Sequence, residues 1–110
     1  MIFDKEGNTT IVLQEHSDLA TFLSNLNGAY EQLKNDHIIV NLFSFDTLSA
    51  NDVLEFLELS AKHRNAKKSF VLVTDRVSYD AVPESICLVP TIQEAKDLIE
   101  MEEIERDLGL

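Results

Sequence analysis

The sequence predicts one α/β domain built on a mostly parallel sheet, with an N-terminal hairpin. Three observations predict it. Short, β-branched, nearly continuous apolar runs stand at Ile38-Ile39-Val40-Asn41-Leu42-Phe43 and Phe70-Val71-Leu72-Val73, with a weaker one at Ile86-Cys87-Leu88-Val89. Such runs suit strands buried on both faces. Segments of helical apolar spacing alternate with them, and that alternation implies parallel strands joined by right-handed crossovers. Only two prolines and three glycines punctuate 110 residues, too few turn residues for an all-β sandwich.

The elements run in the following order. Ile2-Phe3 and Ile11-Val12-Leu13 flank Glu6-Gly7-Asn8 and read as a hairpin. Ser17 reads as the N-cap of a first helix, whose stripe is Leu19, Phe22, Leu23, Leu26, Tyr30 and Leu33. Asn27-Gly28 interrupts that stripe, and a helical glycine costs about 1 kcal/mol, so a kink or break is placed there. A middle helix starts at Ser49, with Asp52 at capping-box distance, although the shorter Asp reaches back less well than Glu. Its stripe is Ala50, Val53, Leu54, Leu57 and Ala61. The last helix opens on the capping-box pair Thr91 and Glu94 behind Pro90, and extends to about residue 107.

Length and composition fit a single domain over residues 1–110, and a 45% hydrophobic fraction is ample for a core. A net charge of −11 argues against nucleic acid and anionic membranes as partners. The local exception, Lys62, Arg64, Lys67 and Lys68, reads as neutralising a helix C-terminus, with a partner-docking patch as the alternative. Cys87 is the only cysteine, which rules out an intrachain disulfide and fits a reducing compartment. The N-terminus lacks a signal-peptide pattern, and no apolar stretch approaches the roughly 20 residues that span a bilayer. The expected location is the cytoplasm.

Residues that would carry chemistry do not assemble into a known pattern. His16, His37 and His63 lie far apart and read as surface or helix-end residues rather than metal ligands. The glycines Gly7, Gly28 and Gly109 are too scattered for a phosphate loop. Cys87 sits inside an apolar run, where burial disfavours the thiolate. Asp46 and Asp75 come after strands, but the acidic pair of a receiver-type magnesium site is missing. Glu100, Glu102, Glu103, Glu105 and Asp107 read as a solvated helical face. No catalytic residue, cofactor or metal is expected.

Two segments together resemble the STAS domain of anti-sigma-factor antagonists. They are Ile38-Ile39-Val40-Asn41-Leu42, leading through a loop to the helix at Ser49, and Val89-Pro90-Thr91-Ile92-Gln93-Glu94-Ala95. The resemblance covers roughly residues 37 to 99. It implies a STAS-like fold and a non-catalytic regulatory module that binds another protein. The family's D-S-S-G signature falls, without gaps, on Ser49-Ala50-Asn51-Asp52, which puts the phosphoacceptor position on Asn51. A phospho-switch through Ser49 is the alternative. The segment between Asp75 and Ser85 is too short for the family's full helix. The chain also resembles short bacterial proteins sometimes labelled ribonuclease Z, through Leu57-Glu58-Leu59-Ser60 and the ending Met101–Gly109. It lacks that enzyme's metal motif, and an accessory role in RNA metabolism is the reading this second resemblance implies.

Two apolar features do not fit the simplest packing. Leu59 points away from the middle helix's stripe, and Phe56 flanks it. Met101, Ile104 and Leu108 lie off the face that Ile92, Ala95 and Ile99 share. Two contact surfaces are therefore expected: one at the start of the middle helix, with Phe56 and Leu59 beside the Ser49 and Asn51 that the STAS resemblance implies, and one at the C-terminal tail, with Met101, Ile104 and Leu108. The partner is another protein or a second copy of the chain. A bend of the last helix, or a tail folded back, is the plainer alternative for the last three.

Overall fold

The computed structural model describes residues 1–15 and 17–109. Strands β1 (Ile2–Glu6) and β2 (Thr9–Leu13) form the expected hairpin. Gly7 takes φ +61° in its turn, a conformation open to glycine because it has no Cβ. Helix α1 (Leu19–Leu33) leads to β3 (His37–Asn41), and helices α2 (Ala50–Leu54) and α3 (Leu57–Asn65) lead to β4 (Phe70–Val73). A 3-10 turn (Tyr79–Ala81), in place of a full helix, leads to β5 (Cys87–Val89), and α4 (Ile92–Asp107) comes last. The strands lie in chain order, β1-β2-β3-β4-β5, and every pair after the hairpin is parallel.

The register aligns Val12 with Val40 and Leu72 with both Val40 and Leu88. That row joins Ile38 and Phe70 in a core closed by Phe22, Leu26 and Tyr30 of α1 and by the α2–α3 segment. The opposite face carries Ile39, Val71 and Val73, covered by Ala95 and Ile99 of α4. The β3 and β4 runs are apolar throughout because both faces are buried.

The structure corrects several local expectations. Helix α1 is capped by Asp18, whose carboxylate accepts from the Thr21 N–H at 2.7 Å, and not by Ser17. A charged cap also gains from the helix dipole. Helix α1 runs unbroken through the exposed Gly28. Thr91 caps α4 through its hydroxyl, but the Glu94 carboxylate accepts from that hydroxyl rather than from the Thr91 N–H.

The middle helix is two helices. Glu55 and Phe56 donate their N–H groups to the carbonyls of Asp52 and Val53, three residues back. Such bonds tighten the winding and rotate the helical residues beyond them. Phe56 is therefore fully buried and Leu59 is 5% exposed, while Leu54 and Ala61 of the expected stripe turn outward. Phe56 packs near the Phe22 ring, with centroids 6.3 Å apart. Helix α3 ends with Lys67 at φ +67°. The N–H groups of Lys67 and Lys68 reach the carbonyls of Arg64 and His63, the bonding of a Schellman motif with lysine where glycine is usual.

A belt of polar contacts at the amino ends of the strands fixes α3 and α4 on the sheet. His37 and His63 belong to it and are buried, not surface residues; His16 lies outside the described residues. His37 Nδ1 accepts from the Ser69 N–H at 2.9 Å, so its proton sits on Nε2, 2.7 Å from Glu103. His63 Nε2 lies 2.8 Å from the Asp36 carbonyl, which can only accept, and in the neutral ring Nδ1 accepts from the Tyr30 hydroxyl at 2.8 Å. Burial pushes the pKa of both rings down, against the opposing pull of Glu103 on one and of the Asp36 carbonyl on the other. Glu102 is an anchor rather than part of a solvated face. It pairs with Arg64 at 2.8 Å and accepts from the Ser69 hydroxyl at 2.6 Å. Burial pushes its carboxyl up, but those bonds and the charges of Arg64 and Arg106 outweigh this and hold its pKa below the usual carboxylate range.

Three outcomes are expected. Phe56→Ala should destabilise the fold by about 3–5 kcal/mol, read from urea denaturation; a loss below about 1 kcal/mol would contradict its place in the core. Gly28→Ala, with open space around the added methyl, should stabilise the fold by roughly 0.5–1 kcal/mol. The third concerns pH. The native histidines resist the protons that the unfolded chain takes up below about pH 6.5. Stability should hold above that value and decline as pH falls from about 6.5 toward 5. His63→Gln, although less stable at pH 7, should show a shallower decline over that interval. An unchanged slope would remove His63 as its source.

Candidate functional site

The loop after β3 is tied back at both ends. The Asn41 side chain accepts from the Phe43 N–H at 3.0 Å, and the Ser44 hydroxyl donates to the Gln14 carbonyl at 2.6 Å. Phe45 packs on Phe22 with centroids 5.6 Å apart, which delivers the chain to Ser49 in a fixed direction. At Ser49 both bonds of the capping box are made. The hydroxyl accepts from the Asp52 N–H at 3.2 Å, and the Asp52 carboxylate accepts from the Ser49 N–H at 3.0 Å. The shorter Asp reaches back after all. Ser49 and Asn51 are both exposed, at the cap and in the first turn of α2.

A groove of about 520 Å³ runs beside this turn, between α1 and α2. Leu19 and Leu23 supply its apolar floor, and Asp52 and Glu55 line its α2 side. It continues past Glu58 and Lys62 of α3. Sequence reasoning missed this groove. Leu19 and Leu23 belong to the α1 stripe, which periodicity assigns to the core, yet they sit at its margin and are only partly buried. The signal was present: six apolar positions make a stripe wider than one sheet face needs.

The expected contact residues lie in three places. Ser49 and Asn51 stand at α2, Phe56 and Leu59 are interior, and Met101, Ile104 and Leu108 are exposed on α4 and its C-cap, on the other side of the sheet. Helix α4 is continuous from Ile92 to Asp107, so its tail does not fold back.

A smaller cleft of about 310 Å³ at the carboxyl ends of β4 and β5 is lined by Asp75, Tyr79 and Pro90, among others. Cys87 is half-buried in β5, and burial pushes its thiol up, away from the thiolate that nucleophilic chemistry needs. Of the basic quartet, Lys62 lies 4.5 Å from the centre of the Tyr30 ring, and Arg64 is engaged by Glu102. Among the described residues no group of three or more His, Cys, Asp or Glu side chains could hold a metal ion, and no helix is long and apolar enough to cross a membrane.

No protein-family profile matches the chain, and no curated protein matches it. Solved structures do. A serine-to-glutamate variant of RsbS from Moorella thermoacetica superposes with a TM-score of 0.64 at 11% identity, covering 90% of this chain and 93% of that one. A chain from the stressosome, described as a signal integration and transduction hub, superposes with a TM-score of 0.59, also at 11% identity, covering 90% of this chain and 96% of the other. At that identity the likeness is one of fold, and it gives the ribonuclease Z resemblance no support. The five-stranded sheet, its hairpin and its helices on two faces give this chain a STAS-like α/β fold.

Proposed function

We propose that the chain is a non-catalytic regulatory module that binds another protein through the first turn of α2 and the adjoining α1–α2 groove. The observation that carries this reading is the juxtaposition itself. An exposed, capped turn stands beside an apolar-floored, acid-lined groove, at the position where the STAS signature aligns. The structures it superposes on support the same class of role, since one is a component of a signal-transduction hub.

The phosphoacceptor position falls on Asn51, which carries no hydroxyl. Ser49 is a poor substitute. Its oxygen accepts from Asp52, and the Asp52 carboxylate lies against its own N–H. A phosphate there would break the box and set a dianion beside a carboxylate. The module is therefore read as binding without the family's usual serine switch, in the cytoplasm.

The test is capture of partners by the tagged chain from its native lysate, comparing wild type with Asn51→Lys and Glu55→Lys. One dominant partner at near-stoichiometric yield should be retained by wild type and fall at least tenfold in both variants, while their circular dichroism stays unchanged. A partner held equally by all three proteins would overturn the α2 surface. Intact-mass analysis of the native protein closes the alternative: a shift of one phosphate localised to Ser49 would replace this reading with the phospho-switch.

A further inference from the structure

We propose that the outward face of α4 is a second docking surface, which takes a basic amphipathic helix of a partner protein. Met101, Ile104 and Leu108 are 58%, 54% and 68% exposed. At 100° per residue they form one stripe, on the side away from Ala95 and Ile99. The stripe spans roughly 10 Å, from the 1.5 Å helical rise per residue.

Charge decides what this stripe can accept. By the same periodicity Glu100 borders it on one side and Glu105 on the other, while Asp107, beyond Glu100, shares a shallow pocket with Lys67 and Lys68. Glu100 and Glu105 are exposed, and among the described residues neither has a cation within ion-pair distance. The helix has two cations of its own, and both turn toward the sheet. Lys96 meets Glu6 at 2.9 Å, and Arg106 donates to Ser69 at 3.1 Å. The outward face is thus apolar at its centre and acidic at both borders. A second copy docking by this face would bring acidic borders together, and an anionic bilayer or nucleic acid would be repelled. A helix with its own apolar row and lysine or arginine borders matches both features.

This surface lies across the sheet from α2 and stands or falls separately from it. The probe is a synthetic amphipathic helix with one leucine face and lysine borders, titrated into the isotope-labelled full chain. Controls are a scrambled peptide of identical composition and the same helix with glutamate borders. Backbone amide shifts should concentrate at residues 97–108. Ile104→Glu and Leu108→Glu should each weaken binding at least tenfold, as should the pair Glu100→Lys with Glu105→Lys, while Asn51→Lys leaves it unchanged. Equal binding of the scrambled peptide, shifts centred elsewhere, or full affinity in Ile104→Glu would overturn the proposal. So would sedimentation showing a wild-type dimer that Ile104→Glu converts to monomer, since the occupant would then be a second copy.

Discussion

The burial of β3 and β4 on both faces is the constraint on which the rest of the architecture depends. Ile38, Ile39, Val40, Phe70, Val71, Leu72 and Val73 are all removed from water, and alternate side chains point to opposite sides. One layer of helices cannot cover them. Helix α1 and the α2–α3 segment take the Ile38, Val40, Phe70 and Leu72 side, so α4 must take the side of Ile39, Val71 and Val73. Each helix then has one face committed inward. What remains open to solvent is the margin between α1 and α2, and the outer side of α4, the two surfaces proposed for partners.

The placement of α4 is also set by polar contacts at one end. Hydrophobic burial holds its first half through Ala95 and Ile99, but the second half reaches the sheet through Glu102, Glu103 and Arg106. These contacts are part-buried and bonded on several sides, where an ion pair counts for more than one in open solvent. They are directional, so they fix the rotation of the helix as well as its position. That rotation directs Met101 and Ile104 outward. His37 and His63 serve the same end by tying the start of β3 to α4, and α3 to the α1–β3 turn. Their neutral state is part of the packing.

Much of the architecture was legible because it rests on periodicity. The hairpin, the three buried runs, the cap at Ser49 and the cap at Thr91 all come from local pattern, and the parallel sheet from their alternation. The parts that were not legible depended on events outside any periodic rule. Two i to i−3 hydrogen bonds at Glu55 and Phe56 rephase the middle helix. A stripe read at a constant 100° therefore put Phe56 and Leu59 at the surface when they are core. The polar belt was equally hidden, because Glu102 and Ser69 are 33 residues apart in sequence and only the closed sheet makes them neighbours. Helix α4 is one unbroken element, so the constant angle holds there, and the exposed stripe lies where the sequence places it.

The same contrast bears on how such a domain would be controlled. A switch at the start of α2 needs a hydroxyl free to be modified, and the one at Ser49 is already the acceptor of a reciprocal pair with Asp52. Modification there would act first on the cap, and through it on the loop that orders Phe45 and on the turn that buries Phe56. The cap is thus coupled to the core. The α4 stripe has no such coupling, since Met101, Ile104 and Leu108 are largely exposed and lie outside both hydrophobic clusters. Modification of the Ser49 cap therefore carries a stability cost that change at the α4 stripe does not. Of the two surfaces proposed, the outer side of α4 is the one whose side chains can change without disturbing the core.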